Sequence, residues 1–297
     1  MRLNTDQRRV VTNRLMNNLL KEHNMLFDMA IGFIGGGNMA EALIKGLVAG
    51  GMSPDKILVS EPLAERRAEL SRSLKVRTTD DNNAAFSASD LVVLAVKPQV
   101  AASVLTAFDG KILPDKLIVS IMAGVSTISI EESLQSGIRI IRAMPNTPAL
   151  VQSGATAICA GRRAEASDLE LASALFATVG TVVTVNERQM DAVTGVSGSG
   201  PAYAFSFIEA LADAGVKNGL PRETALGLAV QTVLGSARLV QESGEHPAVL
   251  RDRVSSPGGT TIAALHTLEN GRFHGLIMDA VDAAVKRSKD LAGIKLL

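Results

Sequence analysis

From Met29 onward, short apolar runs alternate with stretches whose apolar residues recur at helical spacing. This alternation marks a parallel α/β sheet, because each parallel strand needs a crossover, usually helical, before the next. The pattern predicts strands at Met29–Ile34, Ile57–Ser60, Leu91–Val96, Leu117–Ile121, Ile138–Ala143, Gly154–Ala160 and Thr181–Val185. It predicts helices at Asn38–Gly50, with Met39, Ala42, Leu43, Gly46 and Leu47 on the buried side, and at Ala164–Val179. After Glu187 the β-branched runs stop. Pro201–Val216, Arg222–Ser243, Thr260–Glu269 and Gly275–Leu291 then carry helical periodicity, punctuated by Gly and Pro. The predicted organisation is an α/β domain over residues 28–188 and an all-α domain over residues 189–297.

The first 27 residues follow a different pattern. Thr5–Asn24 is predicted as an amphipathic helix with Val11, Leu15 and Leu19 on one side, and its basic residues outnumber Asp6 and Glu22. The segment lacks the apolar core of a secretory signal. It reads as a non-catalytic extension, with Met25 or Met29 as the functional start.

Composition narrows the function classes. Thirty basic residues balance thirty acidic ones in a chain of 297, which gives no long-range pull toward nucleic acid or an anionic membrane. No run reaches the ~18 uninterrupted apolar residues expected of a membrane span. The four histidines are scattered, and no Cys/His cluster forms a metal site. The single cysteine, Cys159, lies in the apolar run Ala155–Ala160 and reads as a buried structural thiol. Neither nucleic acid nor a membrane is an expected partner.

Candidate chemistry begins at Gly35-Gly36-Gly37-Asn38-Met39-Ala40, where Gly35, Gly37 and Ala40 fit the spacing G-x-G-x-x-A. The motif directly follows a predicted strand and opens a predicted helix. Gly35 permits the tight turn, Gly37 admits a pyrophosphate to the backbone, and Ala40 lets helix and sheet pack closely. Helix N-terminal amides then stabilise the phosphate charge. The fold class is therefore an α/β Rossmann domain followed by an all-α domain. At the end of the second strand, Glu61 stands where an acid accepts from ribose hydroxyls, while Arg66 and Arg67 follow within reach of a 2′-phosphate. The two arginines read either as phosphate ligands or as solvated helix charges, so both NADPH and NADH stay open.

Ala95-Val96-Lys97-Pro98-Gln99 ends another strand, at the sheet edge where ligands of open α/β folds bind. Arg142-Ala143-Met144-Pro145-Asn146-Thr147-Pro148 is stiffened by two prolines and suits a surface that holds a nicotinamide ring still. Ser255-Ser256-Pro257-Gly258-Gly259-Thr260-Thr261 opens a helix. On its residues alone it is either an ordinary Ser/Thr cap or a carboxylate site.

Together with Ser197-Gly198-Ser199-Gly200-Pro201-Ala202-Tyr203, these blocks resemble pyrroline-5-carboxylate reductase from about Ile31 to Leu291. The resemblance implies NAD(P)H-dependent reduction of 1-pyrroline-5-carboxylate to L-proline, the last step of proline biosynthesis. It also implies a helical dimerisation domain and often a decamer of five dimers. It assigns the cofactor to Gly35, Gly37, Asn38, Met39, Glu61, Asn82, Ala95, Val96, Lys97 and Pro98. It assigns the substrate to Ser256, Gly259, Thr260 and Thr261, with the Thr261 hydroxyl as the catalytic group. One departure is Gly244, flanked by Glu242 and Glu245, where family members often carry an acid near the substrate nitrogen. That role is left unassigned. A β-hydroxyacid dehydrogenase is the nearest rival, but its lysine is missing from Pro201–Gly215. A non-catalytic nucleotide sensor is the other, and it has no use for the Ser255–Thr261 loop.

Overall fold

A computed structural model describes residues 25–108, 116–134 and 137–292. The helix expected over Thr5–Asn24 lies outside them. By its internal packing the described chain divides into two compact units, Ser199–Ala284 and the remainder.

The larger unit is built on eight strands: β1 (Ile31–Ile34), β2 (Ile57–Ser60), β3 (Arg77–Thr79), β4 (Leu91–Leu94), β5 (Leu117–Ser120), β6 (Arg139–Met144), β7 (Gly154–Ala160) and β8 (Gly180–Thr184). They form one sheet in the order β3-β2-β1-β4-β5-β6-β7-β8. All neighbours are parallel except β6 and β7. The crossovers are α1 (Asn38–Ala49), α2 (Ala64–Leu74), α3 (Asn82–Ser87), α4 (Pro98–Thr106), α5 (Thr127–Leu134) and α6 (Ala166–Ala177).

The strands read as continuous apolar runs because both faces of the sheet are covered. Ile31, Phe33, Ile57, Val59, Leu91 and Val93 point to a core shared with α1, α2 and α6. Ile34, Leu58, Val92, Leu94 and Ile118 point the other way, to a core shared with α3, α4 and α5. Each fully buried aliphatic or aromatic side chain contributes roughly 1.5–3 kcal/mol, so the sheet is a rigid platform for whatever its strand ends carry.

The structure departs from the expected pattern in several places. Strand β3 is an unforeseen edge of only three residues, and α4 starts at Pro98, where a strand end had been read. The expected parallel order also reverses at β7. There the chain turns back through a 3-10 segment, Thr147–Val151, closed by Gln152 in the left-handed region (φ 56°). The short hop from β6 to β7 leaves no length for a crossover, so the pair is antiparallel.

The smaller unit is helical throughout its described residues: α8 (Gly200–Lys217), α9 (Arg222–Ser243), α10 (Pro247–Arg253), α11 (Thr260–Asn270) and the first part of α12 (Phe273–Ala292). The short α7 (Met190–Val193) and a π turn at Thr194–Gly198 precede it. Helices α8 and α9 approach closely, since a Cβ on Gly215 would sit 2.9 Å from that of Ala225. Within residues 199–284 the buried apolar side chains are only Ala212, Ala225 and Ala229. Phe205, Leu228, Leu239, Leu276 and Met278 are all more than half exposed. Gly227 and Gly235 have open space where a Cβ would stand.

Candidate active site

The strand order reverses direction between β1 and β4, which lie side by side in parallel. In such sheets ligands bind in the crevice at the carboxyl ends of the two strands flanking this point. The Gly35–Ala40 and Ala95–Pro98 motifs, sixty residues apart, meet there. The amide of Ala95 donates to the carbonyl of Ile34 at 2.9 Å. Gly35 has φ +103°, and a Cβ on it would lie 2.7 Å from the Ala95 carbonyl oxygen. Glycine is therefore required at Gly35 by both backbone conformation and space.

Gly37 differs. Its φ of −71° suits any residue, and no protein atom lies within 4 Å of where its Cβ would be. The opening beside Gly37 is turned toward the start of α1. Gly37 is the N-cap of that helix and no side chain caps it. The first-turn amides of Asn38, Met39 and Ala40 have no intrahelical acceptor, which leaves an electropositive helix start facing open space. These residues fit the pyrophosphate of a dinucleotide.

At the end of β2, Glu61 is half-buried and turns its carboxylate onto the glycine loop. Its Oε2 accepts from the Gly36 amide at 3.0 Å and its Oε1 from the Leu63 amide at 3.1 Å. Asn82 is tied to the same strand end, its Oδ1 accepting from the Ser60 hydroxyl at 2.6 Å. Lys97 is exposed as the N-cap of α4, ahead of Pro98 at the first helical position. Its ammonium has no partner among the described residues.

Arg66 and Arg67 are both tied to neighbouring groups of the same domain. Arg66 Nε donates to the Gly36 carbonyl at 2.8 Å, while its other nitrogens pair with Glu41 at 2.6 Å and Glu69 at 2.8 Å. Lys45 and Arg66 together hold the Glu41 carboxyl below the usual carboxylate range. Arg67 donates to the carbonyls of Glu61 and Pro62 at 2.7 and 2.8 Å. Both arginine side chains are about one-fifth exposed. They are structural ties, not solvated charges.

The Arg142–Pro148 segment also spends its polar atoms internally. Arg142 is buried and donates to Glu187 at 3.0 Å, and Glu187 in turn accepts from the amide and hydroxyl of Thr127. Asn146 accepts from the Ala155 amide at 2.8 Å and donates to the Ser197 carbonyl at 3.0 Å. It thus fixes the π turn, an element often found at functional sites. Sequence inspection missed Glu187 and Thr127. Nothing in their spacing pairs them with Arg142.

Cys159 lies beneath this network on β7, facing Arg142 on β6. Burial and then the nearby Glu187 carboxylate push its thiol up to about 12. The thiolate is the reactive species, so native protein should resist an aromatic disulfide reagent and titrate one thiol only after denaturation. Stoichiometric labelling of the native protein would contradict this burial.

In the helical unit, the Ser255–Thr261 loop turns tightly. Gly258 has φ +69° and the Gly259 amide donates to the Ser256 carbonyl at 3.0 Å. Gly259, not a Ser or Thr, is the N-cap of α11, and no side chain caps this helix. A Cβ on Gly259 would overlap the Ser256 hydroxyl. Thr260 is exposed and Thr261 half-buried. Ser255, Gly258 and Gly259 border a cavity of about 730 Å³, also lined by Arg251, Ile262 and His266.

Two family models match the chain. Residues 30–124 match "NADP oxidoreductase coenzyme F420-dependent", and residues 187–291 match "Pyrroline-5-carboxylate reductase dimerisation". Fold and site thus define a nicotinamide-dependent oxidoreductase whose Rossmann sheet is joined to a helical dimerisation region. The pyrroline-5-carboxylate reductase of Synechocystis is 50% identical over 265 residues, 89% of this chain and 98% of the relative. That of Arabidopsis thaliana is 45% identical over 88% of this chain and 95% of the relative. Among solved structures, the Coxiella burnetii reductase superposes with a TM-score of 0.84 at 40% identity, covering 89% of this chain and 98% of its own. The Plasmodium falciparum enzyme, solved with NADP bound, gives 0.81 at 34% identity, covering 90% and 99%.

The chain belongs to the pyrroline-5-carboxylate reductase family. It is an NAD(P)H-dependent oxidoreductase that assembles with copies of itself. A β-hydroxyacid dehydrogenase is not favoured. No described helix is long and apolar enough to cross a membrane.

Proposed function

We propose that the chain reduces 1-pyrroline-5-carboxylate to L-proline as the last step of proline biosynthesis, in the cytoplasm, through the residues described above. The observation that carries this reading is similarity at 45–50% identity to curated reductases across nearly their whole length, spanning both the glycine loop and the Ser255–Thr261 loop. Functionally we divide the chain at 188/189, with nucleotide chemistry in residues 28–188, substrate capture and assembly in 189–297, and residues 1–27 outside both.

Gly35, Gly37, Asn38 and Met39 would hold the pyrophosphate, Glu61 and Asn82 the adenosine ribose, and Ala95–Pro98 the cofactor face of the reaction site. When bound, the reduced nicotinamide supplies hydride to the C=N carbon. Ser256, Gly259 and Thr260 take the substrate carboxylate, on hydroxyls and first-turn amides that no protein side chain caps. The Thr261 hydroxyl, or solvent, keeps a proton on the imine nitrogen, which lowers the barrier to hydride arrival. Orientation does the rest, converting an encounter into an aligned contact. The assembled form is proposed as a decamer of five dimers, to be checked by light scattering.

Thr261→Ala should lower turnover of the imine by about 10²-fold, the lower range for a lost general acid, and leave NAD(P)H affinity unchanged. Steady-state kinetics beside cofactor titration decides this. Weakened cofactor binding with intact imine turnover would place the loop elsewhere.

A further inference from the structure

Gly36 is gripped on both sides of its own peptide units. Its amide donates to Glu61 Oε2 at 3.0 Å and its carbonyl accepts from Arg66 Nε at 2.8 Å. Arg66 is itself braced by Glu41 from α1 and Glu69 from α2. The loop carrying Glu61 is held in turn, because Arg67 donates to the Glu61 and Pro62 carbonyls and its remaining reach is to Asp80 at 3.4 Å. A carboxylate has about four acceptor sites, and Glu61 spends one on each oxygen. It therefore keeps capacity for two further donors while fixed in place. Both nearby guanidinium groups are committed to carbonyls and carboxylates. The next cations in sequence are Arg72 in the last turn of α2, Lys75 at its C-cap and Arg77 at the start of β3, all at the end of these elements opposite the ligand crevice.

We infer that this enzyme selects NADH over NADPH. Glu61, anchored to the glycine loop, accepts from the ribose hydroxyls and repels a 2′-phosphate, while Arg66 and Arg67 are positioning residues withheld from that phosphate. The inference rests on the proposed reductase reaction only for its kinetic readout. The interaction that discriminates is electrostatic: an unneutralised carboxylate facing a phosphate disfavours it, and a hydroxyl pair facing the same carboxylate gains two charge-assisted hydrogen bonds.

The test compares kcat/KM for NADH and NADPH, with 1-pyrroline-5-carboxylate saturating, alongside direct fluorescence titration of each dinucleotide. The full chain should favour NADH by about tenfold or more, equivalent to one decade in affinity. Glu61→Ser should shift that ratio toward NADPH by about tenfold. Arg66→Ala should raise KM for both dinucleotides alike, with the ratio and kcat held, and Arg66→Lys should recover part of the loss. If Arg66→Ala does not fold, as judged by circular dichroism, Arg66→Lys carries this arm by the same criterion. A wild-type preference for NADPH, an unchanged ratio in Glu61→Ser, or a selective loss of NADPH in either Arg66 variant would overturn the inference. Titration that favours NADH in a protein that reduces no imine would uphold the inference and sink the reaction.

Discussion

Gly37→Asp abolishes NAD(P)H binding and leaves the protein folded. The two halves of this expected result come from different observations. The new Cβ meets no protein atom within 4 Å, and φ of −71° is open to any residue, so nothing in the chain must move. Aspartate at a helix N-cap satisfies first-turn amides and adds roughly a few tenths of a kcal/mol over the glycine it replaces. Thermal stability should therefore hold or rise. The same carboxylate takes the amides and the space offered to the pyrophosphate. At a separation of ~4 Å and an effective dielectric of ~20, like charges repel by about 4 kcal/mol, so affinity should fall by at least a hundredfold. Calorimetry for stability and fluorescence titration for binding read the two halves separately. An unchanged titration in a folded variant would show that α1 does not begin the phosphate site.

The second large effect is on assembly. Dilution below the dimer dissociation constant should cost at least about tenfold in specific activity. In residues 199–284 only three alanines are buried among the apolar side chains, while six large ones stand more than half exposed. A region this small and helical leaves too much apolar surface open to be stable alone, and its sequence matches a dimerisation family. The glycines with open space on α9, Gly227 and Gly235, let a second helix approach closely. Covering these faces in a standard interface buries roughly 1,600 Å². The Ser255–Thr261 loop rides on the same helices, so its geometry loosens when they lose their partner. Light scattering and assays run in parallel over the dilution series test this. A fully active monomer would refute it.

How much of this was legible beforehand depended on whether the signal was local. The strand ends and the glycine turn were readable because apolar runs, Gly35 and the helix start at Asn38 sit within ten residues of one another. Strand β3 was not, since Arg77-Thr78-Thr79 has no apolar run and pairs only along an edge. Helix α4 was missed because Lys97-Pro98-Gln99 read only as a strand end, although proline is equally at home in the first turn of a helix. The antiparallel β7 read correctly as a strand, but direction is set by the turn before it and not by its own residues. The grip on Gly36 lay furthest from view. It joins residues 25 and 30 positions apart, and only the crossing of α1 over α2 brings Glu41 to Arg66. Sequence offered both Arg66 and Glu61 as cofactor contacts; it did not show that packing ties Arg66 to Gly36, Glu41 and Glu69, or Glu61 to the amides of Gly36 and Leu63.

Hydride transfer to a cyclic imine is followed by the loss of NAD(P)H absorbance in the purified full chain on addition of 1-pyrroline-5-carboxylate, with proline quantified in the same sample. Oxidation should require the imine and yield one proline for each reduced dinucleotide consumed. A folded, cofactor-binding oligomer that leaves NAD(P)H untouched in the presence of the imine would contradict it.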